Sequence, residues 1–336
     1  MRWIFACVLF LVACGSETSA PEPEPKPETS TPAPERERVI YAGSAWYGHA
    51  PVWVGLRKGI FAKHGFEVVD KSFGSSGDRV TALEAGNAQF ASLGQVAMLG
   101  AMGESRTGFY WVANQNIAPG NEGIVAIGID RIEDLKGKSI ALQPNTSIHL
   151  TVALLLKKHG LSLKDVDVKF GSDDAIVQMV RNGDAQAGAI WEPFYGDLKQ
   201  LEGAKVLGTD RDTPIYEKFN TMSGPDVICA SRAWVDADPA RAQRFFRAYF
   251  EAVQWCADNP EELTKIAVER TGKDPKIVAA VLANFTWIGW DAQKVNMSDA
   301  RMFGQTEVAA QLLVEMGSLQ SVPKFRDWTW IKMFWE

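Results

Sequence analysis

The amino-acid sequence predicts an α/β protein whose folded part forms two lobes with a ligand cleft between them. Two observations carry this prediction. From Val39 onward, short apolar segments of strand character alternate with longer helical patterns, as in sheets covered by helices. A stretch with this alternation then occurs a second time, so the folded part contains two copies of one supersecondary unit.

The first copy has recognisable helix boundaries. Pro51 suits the first turn of a helix, where its missing N–H costs no hydrogen bond. The Lys-His-Gly sequence at 63–65 ends that helix, and Gly86 ends the next one, because glycine is common just after helix ends. The predicted elements are a strand at 39–42, a helix at 51–62, a strand at 66–73, a helix at 78–85 and a strand at 88–93.

The second copy repeats the motifs of the first in the same order. The recurring motifs are Lys-His-Gly at 63–65 and 158–160, Phe-Gly-Ser at 73–75 and 170–172, and Gly-Asn-Ala-Gln at 86–89 with Gly-Asp-Ala-Gln at 183–186. A single match could come from common turn chemistry. Several matches in register indicate an internal repeat instead.

The loops that follow the predicted strands hold the candidate ligand-binding residues. Ligands of open α/β sheets bind beyond the carboxyl ends of strands, where loops and helix N-termini meet. Here these loops carry hydroxyl and large aromatic side chains, which suit a ligand that is partly polar and partly flat. The candidates are Trp46, Tyr47, Ser75, Ser76, Gln95, Asn145, Thr146, Ser147, Trp191 and Glu192.

Each candidate also has a purely structural interpretation. Trp46 and Tyr47 could cover the core, and Glu192 could cap a helix N-terminus instead of meeting a ligand amine or hydroxyl. The serine and threonine candidates are ordinary N-cap residues and could fill both roles. For Trp287 and Trp290, closing the cleft and packing within a lobe are equally open.

Composition and charge exclude several classes of protein. The formal net charge of −6, with no long run of basic residues, argues against nucleic-acid binding. The histidines and cysteines show neither HExxH nor paired-cysteine spacing, so we expect no metal and no cofactor. No Gly-x-Ser-x-Gly nucleophile motif occurs, and no catalytic residue is assigned. Spacing alone does not decide whether Cys229 and Cys256 pair.

Residues 1–14 predict an export signal. Arg2 precedes an apolar run over 3–13 that is shorter than the roughly 20 residues of a membrane span. The sequence Leu-Val-Ala-Cys at 11–14 resembles the lipobox of bacterial lipoproteins, which implies a lipid anchor on Cys14. The alternative is an ordinary secretory signal cut near Ala13.

Residues 15–38 predict a disordered tether. They are rich in proline and glutamate and contain no aromatic or branched aliphatic residue, so they cannot form a core. We therefore expect an exported body in the periplasm or at the cell surface, held near the membrane.

The folded part resembles the substrate-binding proteins of ABC importers, in the nitrate/sulfonate/taurine (SsuA/THI5-like, NMT1-like) family. The residues that carry the resemblance are Pro-Val-Trp-Val-Gly-Leu-Arg-Lys-Gly-Ile-Phe at 51–61, Gly-Phe-Glu-Val at 65–68, Ala-Leu-Glu-Ala-Gly at 82–86, Asp-Leu-Lys-Gly-Lys-Ser-Ile at 134–140 and Trp-Glu-Pro at 191–193. The resemblance implies a two-lobed periplasmic-binding-protein-like (type II) fold, with lobe 1 at 39–120 and 230–336 and lobe 2 at 121–229. It also implies a monomeric, non-enzymatic receptor that delivers its ligand to an ABC permease.

Two other functions stay open at this stage. Enzymes of the same fold are known, namely pyrimidine synthases of thiamine biosynthesis and menaquinone-pathway enzymes, and a tethered ligand sensor is a further alternative. The ligand is also open among sulfonate, nitrate, taurine and a thiamine-pyrimidine-like compound. The loops offer Arg79 as an obvious cation beside several carboxylates, so a zwitterion or a neutral heteroaromatic compound fits as well as an anion.

Overall fold

The computed structural model describes residues 35–298 and 300–335. The predicted signal at 1–14, with Cys14, and the tether up to residue 34 lie outside the described residues. The first strand begins at Glu37, within the segment expected to be the end of the tether. In residues 35–298 and 300–335, no helix combines the length and the apolar character that a membrane crossing requires.

The strands form two five-stranded sheets and one two-stranded sheet. The strands are β1 (Glu37–Gly43), β2 (Phe66–Ser72), β3 (Phe90–Gly94), β4 (Phe109–Asn114), β5 (Asn116–Ile117), β6 (Glu122–Ile127), β7 (Ser139–Leu142), β8 (Asp167–Phe170), β9 (Ala187–Trp191), β10 (Ala204–Thr209), β11 (Asp226–Ser231) and β12 (Thr286–Trp287). The orders are β2-β1-β3-β11-β4 in the first sheet and β10-β6-β9-β7-β8 in the second, while β12 pairs with β5. We call the first sheet with its helices lobe 1 and the second sheet with its helices lobe 2.

The helices match the predicted pattern with one interruption. They are α1 (Ala50–Arg57), α2 (Ile60–Lys63), α3 (Ser76–Glu84), α4 (Gln95–Gly103), α5 (Ser147–Lys158), α6 (Asp173–Asn182), α7 (Phe194–Lys199), α8 (Pro214–Phe219), α9 (Arg232–Ala237), α10 (Pro239–Asp258), α11 (Pro260–Thr271), α12 (Pro275–Leu282), α13 (Trp290–Ser298) and α14 (Ala300–Glu315). The helix predicted at 51–62 is divided into α1 and α2 because Gly59 adopts a left-handed conformation, with φ of 66°.

The sheet topology confirms the predicted repeat. In lobe 1, β1 pairs in parallel with both β2 and β3, and in lobe 2, β7 pairs in the same way with β8 and β9. The repeated glutamine has the same role in both copies. The side-chain oxygen of Gln89 accepts from the N–H of Ile40 (2.7 Å), and that of Gln186 accepts from the N–H of Ser139 (2.9 Å).

The chain passes between the two sheets twice. It leaves the first sheet after β4 and enters the second at β6, then returns between the end of β10 and the start of β11. Strand β11 is antiparallel to both β3 and β4 and lies wholly in the first sheet. The boundary expected between 229 and 230 would cut this strand, so the return to the first sheet falls before Asp226.

Each lobe has its own hydrophobic packing. Aromatic rings from α10 fill the core of lobe 1, where Phe245 lies 4.6 Å from Phe90 and 5.7 Å from Phe61 between ring centres. The sheet of lobe 2 is covered on both faces, with α5 against one face and α6 and α7 against the other. Both sheets are therefore rigid supports for the loops at their edges.

Gly123 allows β6 and β10 to approach closely. A Cβ atom at this position would lie 2.6 Å from the backbone oxygen of Gly208. We expect Gly123→Ala to lower the free energy of unfolding by about 1–3 kcal/mol because the strands must move apart. Gly100→Ala, in the interior of α4, is the matched control, since no atom lies within 4 Å of the added Cβ. This variant should raise the free energy of unfolding by about 0.5–1 kcal/mol, because alanine is the better helix former. Urea unfolding of both variants tests this, and equal effects would contradict it.

Candidate ligand-binding cleft

A cavity of about 960 Å³ lies between the two lobes. Its walls are formed by the loops that follow β1, β2, β7 and β9, so the carboxyl ends of strands from both sheets face one space. The wall segments in these loops are 44–46, 74–77, 143–147 and 191–193. A volume of this size is in the range of sites for small organic molecules.

Most of the predicted site residues border this cavity. They are Trp46, Ser75, Ser76, Asn145, Thr146, Ser147, Trp191 and Glu192. The structure places the other two elsewhere. Tyr47 is fully buried in the core of lobe 1, and Gln95 is fully buried at the start of α4. The Gln95 side chain turns toward α14 and bonds Gln305 and Thr306, at 2.9 Å each, so it does not reach the cleft.

Three of the hydroxyl groups in the wall donate their hydrogens within the chain, whereas that of Ser76 accepts from Arg79 (2.7 Å) and from the N–H of Gly94 (3.3 Å) and can donate its own hydrogen. Ser75 caps α3 by accepting from the N–H of Asp78 (3.1 Å), and it donates to the carboxylate of Asp78 (2.8 Å). Thr146 donates to a main-chain carbonyl oxygen (2.8 Å), and Ser147 donates to Glu122 (2.6 Å). The oxygens of these three donating hydroxyls therefore offer lone pairs, and not hydrogens, to a molecule in the cavity.

Arg79 is a buried cation in the cavity wall. Its guanidinium donates to the hydroxyl of Ser76 (2.7 Å) and to the backbone oxygen of Gly43 (3.5 Å), while its Nε has no hydrogen-bond partner. Burial lowers the pKa of Arg79, although nearby carboxylates oppose this. The exposed fraction of Arg79 is only 7%. The unpartnered Nε is itself buried in the wall and is not exposed to the cavity.

The floor of the cavity carries carboxyl groups from both lobes. Glu122 is buried and accepts from the hydroxyls of Ser147 and Thr151, at 2.6 Å each. Asp226, on lobe 1, accepts a short hydrogen bond from the indole N–H of Trp46. Burial raises the pKa of Glu122 to about 7 and that of Asp226 to about 6.

A third carboxyl group in the wall belongs to Asp173, at the start of α6. The side-chain amide of Gln143 donates to its Oδ1 at 2.8 Å. Burial, together with the charge of Asp174, raises the pKa of Asp173 to about 6, against the opposing charge of Arg79. The cleft is thus richer in carboxyl groups than in cations.

Glu192 takes the structural role that its sequence position allows. One carboxylate oxygen accepts from the N–H of Gly196 in α7 (2.9 Å), and the other pairs with Lys199 (2.9 Å). Trp191 beside it is half-buried and packs on the lobe 2 core. Whether these two residues also contact a ligand stays a prediction.

The structure also shows where Trp287 and Trp290 pack and whether Cys229 and Cys256 form a disulfide. Trp287 stacks on Phe285 with ring centres 5.0 Å apart, and Trp290 meets Phe334 at 4.8 Å. Both tryptophans pack within lobe 1 and do not border the cavity. Cys229 and Cys256 are buried free thiols.

Sequence reasoning did not single out Glu122. A usable signal was present, because this glutamate opens the otherwise apolar strand Glu-Gly-Ile-Val-Ala-Ile at 122–127. A charged residue at the end of a buried strand needs a partner or a function. Asp226 stands in the same situation at the start of β11.

The fold and the cleft define the class of this protein: it is a two-lobed α/β protein of the periplasmic-binding-protein type, with a cleft where the strand ends of both lobes meet. The sequence matches the family described as NMT1/THI5 like over residues 46–263, and the chain belongs to that family.

Relatives and solved structures agree with this assignment. A putative binding protein of Brucella abortus (strain 2308) is 27% identical over 290 residues, covering 84% of this chain and 86% of the relative. The taurine-binding periplasmic protein of Escherichia coli (strain K12) is 25% identical over 214 residues, covering 63% and 64%. The structure of the alkanesulfonate-binding protein SsuA from Xanthomonas axonopodis pv. citri bound to MOPS superposes with a TM-score of 0.73. It has 19% identity and covers 90% of this chain and 100% of that chain. The relatives named here are binding proteins, and the solved structure shares the fold of this chain.

The burial of Glu122 predicts a pH dependence of stability. Since the folded-state pKa is raised to about 7, the stabilising protonated form is lost as pH rises through that value. We expect Glu122→Gln to remove this loss and to raise the free energy of unfolding at pH 8 by about 1–3 kcal/mol, with little gain at pH 4. Thermal unfolding between pH 4 and 8 measures it. The exposed Glu202→Gln is the control, and an unchanged pH slope in Glu122→Gln would refute the argument.

Proposed function

We propose that this protein captures a small solute between its lobes and delivers it to the permease of an ABC importer. The observation that carries the proposal is the cavity whose walls combine aromatic and charged groups of both lobes. Relatives named for binding taurine and alkanesulfonate support a small organic ligand. The residues that we propose to contact it first are Trp46 and Trp191, one from each lobe.

Ligand capture would close the cleft by a hinge motion at the two crossings. Hydrogen bonds join the two crossings. The N–H of Gly120 donates to Asp210 (2.6 Å), and Arg211 donates to the carbonyl oxygen of Pro119 (2.9 Å). Two crossings allow one lobe to rotate on the other without breaking either sheet. We accordingly propose a lobe 2 that begins at residue 121 and ends before Asp226.

The N-terminal segment supplies the proposed location. We propose that the chain is exported, cut before Cys14 and anchored by lipid on that cysteine. A tether at 15–36, ending where β1 begins, would then let the monomeric body reach on the order of 70 Å from the membrane, at about 3.1 Å per extended residue. A receptor held at this distance stays concentrated near its permease.

A thermal-shift screen tests the binding function. Sulfonates, nitrate, taurine, betaines and pyrimidines are each added to the purified protein, because a ligand that binds only the folded state raises its Tm. We expect one class to raise the Tm, and Trp46→Ala or Trp191→Ala to abolish the effect. Trp335→Ala is the control, as this tryptophan is exposed and far from the cavity wall. If no solute of the panel acts, the proposed function fails.

Lipid anchoring is tested by replacing the cysteine. We expect the wild-type protein to incorporate radiolabelled palmitate and to sediment with membranes, since an acylated N-terminus partitions into the bilayer. Cys14→Ala should lose the label and the sedimentation. Cys7→Ala, which changes the other cysteine of the signal, serves as control. Labelling that persists in Cys14→Ala would contradict the anchor.

A further inference from the structure

We infer that the ligand presents a protonated nitrogen, as in an amine or an amino-heterocycle, to the carboxylate of Asp226, with Glu122 supplying a second negative charge from the opposite lobe. This inference rests on the proposed function and narrows its ligand by class.

Both carboxyl groups border the cavity near the points where the chain crosses between the lobes, and the negative charge of Asp226 contributes to the raised pKa of Glu122. Glu122 opens β6 in lobe 2, and Asp226 opens β11 in lobe 1. Ser147 links them, because it donates to Glu122 and packs against the segment before Asp226. A Cβ atom on Gly224 would lie 3.0 Å from the Cβ of Ser147. A cation at this point would attract both lobes at once.

The guanidinium of Arg79 partly compensates the charges of Asp226 and Asp173, but it forms no ion pair with either of them. Among the described residues, no lysine or arginine nitrogen lies within 4 Å of Glu122, Asp173 or Asp226. Other basic side chains in the wall are already engaged, since Arg270 pairs with Asp70 and Lys273 with Asp197. Removing carboxylates from water without an ion pair is costly, so a bound cation would compensate a cost that the empty cleft bears.

Three hydroxyl groups of the cleft and one indole N–H also favour a ligand that donates hydrogen bonds. The hydroxyls of Ser75, Thr146 and Ser147 direct their hydrogens to acceptors within the chain, and the N–H of Trp46 is bonded to Asp226. An ammonium group can use the lone pairs left on these oxygens. The hydroxyl of Ser76 and the positive charge of Arg79 suit an acidic group of the same ligand.

The charge on the ligand determines the sign of its pH dependence. Burial raises the pKa of Asp226 to about 6 and that of Glu122 to about 7, so both carboxyls become neutral as pH falls. An ammonium ligand loses affinity on that change, whereas a purely anionic ligand gains it. The other titratable or charged groups around them are Arg79 on α3, His49 before α1, Asp173 on α6, Asp210 after β10 and Glu192 after β9.

Matched compounds that differ by one amino group test the inference. The pairs are taurine with ethanesulfonate and β-alanine with propanoate, measured by thermal shift and calorimetry at pH 8 and pH 5.5. We expect only amine-bearing members to bind, and their affinity to fall roughly tenfold or more at pH 5.5. Equal binding of an amine-free partner would overturn the inference while leaving solute binding intact. If no amine binds, the inference is also overturned. The proposed function fails only if none of the solutes in the thermal-shift screen of the preceding subsection binds either.

Substitutions of the two carboxyl groups test whether the ligand contacts them directly or responds only to the overall negative charge of the cleft. Asp226→Asn keeps a side-chain oxygen that can accept from the indole N–H of Trp46. We expect this variant to lower the affinity for the amine-bearing compound at least about tenfold at pH 8, and Glu122→Gln to lower it less. Glu67→Gln, an exposed residue of β2 that is not part of the cavity wall, is the matched control and should bind as wild type. The Tm of each free variant reports whether it folds. Wild-type affinity in a folded Asp226→Asn variant would refute the inference.

Discussion

The insertion of β11 between β3 and β4 is the constraint on which the rest of the structure depends. This strand comes from the far side of lobe 2, and its antiparallel pairing with both neighbours forces the chain to return to lobe 1. Two crossings follow from that return, and they hold the lobes as a hinged pair. The same pairing places Asp226 beside Gly94 at the carboxyl end of β3, which is the edge that borders the cleft. Gly48 then allows the close approach, because a Cβ there would lie 2.3 Å from the Asp226 carboxylate.

The internal repeat explains why the cleft is lined from both sides by similar chemistry. Each copy ends its parallel strands at one sheet edge and begins a helix just beyond it, so Ser75 and Thr146 stand at helix starts on opposite walls. A duplicated unit facing its copy therefore builds a two-sided site without new elements. What differs between the copies is charge: lobe 1 provides Arg79, whereas the corresponding region of lobe 2 provides Asp173.

The excess of carboxyl groups distinguishes this cleft from a site that binds only anions. Carboxyl groups from both lobes are held at its floor with raised pKa values, and a single buried guanidinium, Arg79, stands among the described residues of the wall near them. In a water-poor site such an arrangement costs stability unless a ligand supplies positive charge. Ligand selection and lobe closure would then share one cause, since a cation between Asp226 and Glu122 attracts both lobes.

The sequence by itself determined the fold class, the repeat and the loops that border the cleft, because strand and helix periodicity and turn glycines are local properties of the chain. It also located Trp46, Ser75 and Trp191 at the cavity, since loops after parallel strands share one edge. Only the tertiary structure decided that Tyr47 and Gln95 turn into the core and that Glu192 is engaged with α7. The direction of a side chain at a helix start depends on what packs against it, as α14 does against Gln95. The placement of Glu122 and Asp226 at one cavity likewise required both crossings, because these residues are far apart in the chain and reach the same wall only when β11 joins the first sheet.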